Sequence, residues 1–219
     1  MAFLKILAIP VLLLFSAAFG MAFWLRLPIW AENREFFVYE GIGAAVYLLL
    51  RVVLKLFHRN LEFWEVFCHE LNHTVFAILC FRRVISFFAH QSDGGEVSFS
   101  GKSSNPLILL APYSFPLFAF GCMLLSFVLI DSVKPYAWGA VGFFLLFHLG
   151  SVFRQAGLRQ TDLRECGYVF SYSAILLSNV FWIPLIAEAS VQGVSAAWNW
   201  ILSGGNAAKQ WIFLLRDWI

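Results

Sequence analysis

The chain has 219 residues, of which 61% are hydrophobic and only 13% charged, with 25 phenylalanines and a mean hydropathy of +0.77. Soluble globular domains carry about 25% charged residues, so this composition excludes an ordinary water-soluble domain and points to an integral membrane protein. A net charge of +2, with the basic residues scattered rather than gathered, gives no basis for nucleic-acid binding.

About 20 apolar residues make one helical crossing, and on that measure the chain predicts helices near 3–25, 36–57, 61–81, 106–130, 136–156 and 167–189. The expected fold is therefore an all-α polytopic membrane protein of about six transmembrane helices. Lys5 ahead of an apolar run and small residues at Ala17 and Ala18 resemble a secretory signal, but the run is too long, and an uncleaved anchor is expected. Arg26, Arg34, Arg82, Arg83, Lys102, Arg154, Arg159 and Arg164 outnumber the basic residues of the opposite loops, which places the N-terminus outside by the positive-inside rule.

The third predicted helix carries His69-Glu70-Leu71-Asn72-His73. Positions four apart share a helix face, so the two imidazoles can grip one metal ion while Glu70 stands beside them as a base. Zinc suits the set, because it accepts neutral imidazole and keeps a position open for water in catalytic sites. The alternative, chance register on an ordinary helix, leaves two histidines and a glutamate unexplained in an apolar segment, where ionisable groups are functional candidates by default.

After the motif, Val84–Phe88 and Val97–Ser100 flank Asp93-Gly94-Gly95, which predicts a short β-hairpin with its turn at the glycines. It serves as a connector, or as an edge to which an unwound substrate adds a strand. Cys68, Cys80, Cys122 and Cys166 show no paired spacing and read as small buried hydrophobes. The Trp-rich end at 194–219, with Trp198, Trp200, Trp211 and Trp218 and a break at Gly204-Gly205, is expected to lie at the membrane interface or to cross once more. The resulting division is 1–60 for the N-terminal helices, 61–189 for the metal-binding core and 190–219 for the tail.

Two histidines leave a catalytic zinc one protein ligand short. The candidates are Asp162, before the last predicted crossing, His148 on the fifth helix, and Asp131 in a short loop; Asp162 is the choice. Its competing role is a helix N-cap. Asp131, beside Lys134 and Pro135, reads as a solvated turn, and His148 as a buried histidine donating to a carbonyl, a supporting partner of the site, or the ligand itself, in that order. Arg154, Arg159 and Arg164 read as interface anchors.

A His-Glu-Leu-x-His helix, a hairpin, a helix containing Ala111-Pro112-Tyr113-Ser114-Phe115-Pro116, another crossing, and an aspartate opening the next helix together resemble the site-2 protease family of intramembrane zinc metalloproteases. The resemblance implies zinc on His69 and His73, with Glu70 as the catalytic base. It also places the family's ligand aspartate, usually in Leu-Asp-Gly, on Asp162 in Thr161-Asp162-Leu163. An asparagine usual in the Ala-Pro region is missing, which leaves Asn179, Asn105 or a backbone N–H to steady the transition state. The implied activity is hydrolysis of a peptide bond in or near a transmembrane segment of a membrane-protein substrate, by a multi-pass protein of the lipid bilayer, expected in a bacterial inner membrane. The alternatives are a non-catalytic membrane binding or assembly factor, and a zinc hydrolase of a lipid-linked substrate.

Overall fold

The computed structural model describes residues 2–32, 34–90, 94–101 and 105–216. Two long helices come first, α1 (Ala2–Glu32) and α2 (Arg34–Leu56), followed by the motif helix α3 (Glu62–Leu79) and the hairpin β1 (Val84–His90) and β2 (Gly94–Phe99). Three short helices follow, α4 (Pro106–Leu109), α5 (Ala111–Ser114) and α6 (Leu117–Val128). The chain then runs through α7 (Lys134–Gln155), α8 (Thr161–Cys166), α9 (Tyr168–Gln192) and α10 (Val194–Arg216).

Among the described residues, four helices are long and apolar enough to cross a membrane: Phe3–Glu32, Phe37–Leu56, Lys134–Gln155 and Tyr168–Gln192. They correspond to the first, second, fifth and sixth predicted crossings. The other two expected crossings differ for separate reasons. Helix α3 spans 18 residues but carries Glu62, Glu65 and Glu70, so its charge counts against a simple span. The apolar stretch 106–130 is cut by proline: Pro106 and Pro112 sit in the first turns of α4 and α5, and Pro116 caps α6. Proline fits the first turn of a helix and weakens a helix interior, and here each begins a new helix. The 12 residues of α6 span about 18 Å, short of the roughly 30 Å hydrocarbon layer.

Helix α2 packs along α7, while α1 packs along α9 and α10. The α2–α7 crossing is backbone to backbone. A Cβ on Gly43 would lie 1.7 Å from the Gly139 carbonyl oxygen, and one on Gly142 would lie 1.9 Å from that of Glu40. Small residues that let helices touch in this way are the usual means of packing in lipid, where apolar burial gives little drive. On the other side, buried Glu188 of α9 pairs with Arg26 and accepts from Trp30 Nε1 at 2.7 Å, and Arg26 also donates to Ser203 of α10 at 3.1 Å. Fully buried Trp200 and the close fit of Gly204 against Phe19 bind α10 to the bundle, and the helix runs through Gly204-Gly205 without the expected break. Trp218 lies outside the described residues.

The hairpin is antiparallel, with Phe87 opposite Val97 and Ala89 opposite Gly95. Gly94 and Gly95 fall in β2 rather than in the turn; Asp93 lies outside the described residues. Both strands pack against α3. A second apolar cluster, Leu109, Leu110, Tyr113, Val152, Leu163, Cys166 and Ile175, fastens α4, α5, α7, α8 and α9 together behind the motif helix. That cluster brings the distant parts of the site within reach of α3.

Candidate metal centre

His69 and His73 stand one turn apart on α3, with ring centroids 4.8 Å apart. Their Nε2 atoms lie 3.6 and 3.4 Å from Asp162 Oδ2 of α8. One ligand atom from each of the three residues fits within a mutual distance of 4.8 Å, an arrangement that could hold a metal ion. Helix α8 carries Asp162 in its first turn, and Gly167, with φ of +89°, ends it and starts α9. Few residues other than glycine adopt that conformation.

The donor chemistry fits a metal. His69 Nδ1 lies 2.9 Å from Gln155 Oε1, and His73 Nδ1 lies 2.9 Å from the Ile108 carbonyl oxygen. Both partners only accept, so each Nδ1 carries its hydrogen and each Nε2 is left with a lone pair directed toward Asp162. Metal-binding histidines are oriented in just this manner. Ligand atoms about 2.0–2.2 Å from a tetrahedral zinc lie about 3.3–3.6 Å apart, the range of both Nε2–Oδ2 distances. Burial works to raise the Asp162 carboxyl, whereas His69 and His73, when they carry a proton on Nε2, hydrogen-bond to it and hold it well below the usual carboxylate range. It is therefore an anion at neutral pH. The Tyr113 hydroxyl also donates to Oδ2, at 3.4 Å, and the Tyr113 ring meets the His69 ring edge-on.

Asp162 does not act as an N-cap, since α8 is preceded by Gln160 and no side chain caps it. His148 lies outside the cluster. Its Nε2 donates to Asn179 Oδ1 at 3.0 Å, a side-chain rather than a backbone acceptor, and Asn179 in turn donates to the Tyr113 carbonyl at 2.8 Å. Asp131 is the solvated turn expected, paired with Lys134 at 2.7 Å, and that cation holds its carboxyl below the ordinary range. Asn105 caps α4 by accepting from the Leu107 N–H at 3.0 Å. Cys68, adjoining His69, is a free thiol outside the metal cluster.

Glu70 is buried beside the histidines and lines a cleft of about 830 Å³ with His69, Gly95, Gln155 and Gln160. The cleft lies between the ends of α2, α3 and α7 and reaches the centre at His69. Arg154 is not a simple interface anchor. It makes a two-pronged ion pair with buried Glu65, one turn before His69, and Arg51 approaches the same carboxylate at 3.6 Å. Gln155, Tyr113, the Ile108 carbonyl and the Glu65–Arg154 pair are the parts that sequence reasoning missed. A polar Arg154-Gln155 pair closing an apolar helix, and a tyrosine between two prolines, are the only traces they leave in the sequence.

No curated protein and no solved structure matches the chain. The model of a family described as Peptidase M50B-like matches residues 38–160, more than half of the chain, running from α2 through the motif helix and hairpin to the end of α7. The match agrees with the motif, and the chain belongs to the M50B-like peptidases of the site-2 protease family.

Proposed function

We propose that this protein is a zinc-dependent intramembrane metalloendopeptidase, which hydrolyses a peptide bond in or near a transmembrane segment of a membrane-protein substrate in a bacterial inner membrane. The observation that carries the reading is the convergence of His69, His73 and Asp162 beside Glu70, next to a cleft that His69 and Glu70 line, in a chain with four membrane-length helices among its described residues.

His69, His73 and Asp162 would hold the zinc ion. Bound there, zinc supplies a Lewis acid for the scissile carbonyl and makes water acidic enough to attack near neutral pH. Glu70 takes the proton from the attacking water as its oxygen bonds to the carbonyl carbon. It then delivers that proton to the amine nitrogen as the C–N bond breaks, leaving a carboxylate and a free amine. A substrate helix must unwind before this can happen, because its backbone groups are bonded to one another in lipid. The hairpin, seated over Glu70 at Gly95, offers strand edges with which an unwound segment can pair.

The test is Glu70→Gln in purified protein reconstituted in lipid, with bound zinc counted and products of transmembrane peptides read by mass spectrometry. The expected result is full zinc content with cleavage reduced about 10²–10⁴-fold, the contribution of a positioned general base. Cleavage at the wild-type rate would overturn the reading.

A further inference from the structure

The two histidines of the centre are oriented by different means. His73 is fixed by a backbone carbonyl, that of Ile108, which no side-chain substitution removes. His69 is fixed by a side chain, Gln155, the last residue of α7. The neighbouring residue, Arg154, grips Glu65 four positions before His69 on α3. The end of α7 thus holds two successive turns of the motif helix, one through an ion pair and the other through the amide oxygen on His69.

We infer that Gln155 is a positioning residue for the metal centre, holding the His69 ring with its hydrogen on Nδ1 and its Nε2 lone pair on the ion. This inference rests on the reading of His69 as a ligand. The physical argument is one of tautomers. Neutral imidazole carries one hydrogen, and a ligand nitrogen must be free of it. An acceptor 2.9 Å from Nδ1 draws the hydrogen to that side and raises the basicity of Nε2. Without the acceptor both tautomers form and the ring is free to turn, so part of the binding energy is spent on ordering it. Gln155 also lines the cleft, so the contact lies beside the space a substrate would occupy. Arg154 keeps the end of α7 in register, because its guanidinium binds Glu65 through two nitrogens.

The experiment measures zinc affinity of the full chain in detergent, by competition with a chromophoric chelator, for wild type, Gln155→Leu, Gln155→Glu and His69→Ala. Leucine keeps the bulk and removes the acceptor, whereas glutamate keeps an acceptor at the same reach. The expected result is a 10–100-fold loss for Gln155→Leu, the usual effect of removing a partner that orients a ligand. Gln155→Glu should bind within threefold of wild type or more tightly. Affinity of Gln155→Leu within threefold of wild type overturns the inference, and so does an equal loss in both variants, which would mark a packing role. If His69→Ala leaves the affinity unchanged, the ligand set itself is wrong, a failure separate from that of Gln155.

Discussion

Gly95 of the hairpin lies directly on the side chain of Glu70: a methyl group built on Gly95 would stand 2.4 Å from Glu70 Cγ and 2.5 Å from Oε1. Any side chain at 95 must therefore lift β2 away from α3 or turn Glu70 out of its place. Gly95→Ala is expected to lower cleavage about tenfold or more, as a misplaced base loses part of its 10²–10⁴-fold contribution. Zinc content should be unchanged, since the three ligands lie elsewhere. Kinetics with parallel metal analysis on the purified variant checks both halves.

Asp162 and His148 make opposite predictions for metal content. Asp162→Ala removes an oxygen that both imidazole nitrogens face, and zinc affinity should fall by more than about 100-fold, beyond the range for residues that only orient a ligand. His148→Gln loses a bond to Asn179 and should retain its zinc. Elemental analysis of the two purified variants distinguishes them; equal retention in both would remove Asp162 from the ligand set.

The Glu65–Arg154 pair should respond unequally to loss of either partner. Glu65 is buried, whereas the Arg154 and Arg51 side chains are 35% and 37% exposed and can be hydrated where they stand. Arg154→Met leaves a buried carboxylate with only Arg51 nearby, at a cost of roughly 1–3 kcal/mol, the range for an unpartnered buried polar group. Glu65→Gln should cost less, and the double variant should recover part of the loss. Midpoints of thermal unfolding in detergent provide the comparison.

The α2–α7 crossing tolerates no Cβ at Gly142, which meets the backbone of Glu40 rather than a movable side chain. Gly142→Ala should destabilise the bundle by about 1–3 kcal/mol or more, as overpacking does in tight interiors. Yield of monodisperse protein after size-exclusion chromatography measures it. Gly41, where an added Cβ meets nothing within 4 Å, is the control, and its alanine variant should behave as wild type.

What the sequence determined by itself was what local spacing and composition determine. A four-residue interval on a helix puts His69 and His73 on one face with Glu70 next to them, whatever the rest of the chain does. Four crossings were legible because unbroken apolar length is a property of the segment alone. The stretch 106–130, expected as the fourth crossing, is discontinuous: hydropathy measures composition, not backbone continuity, and Pro112 and Pro116 divide it. Only the tertiary structure brought Asp162 to the histidines, since α8 is held by Leu163 and Cys166 in one apolar cluster with Tyr113 and Val152. The same is true of Gln155, Tyr113 and the Ile108 carbonyl. Each acts through one hydrogen bond across a helix interface, and such a bond depends on where two helices cross, which no pattern within either helix records.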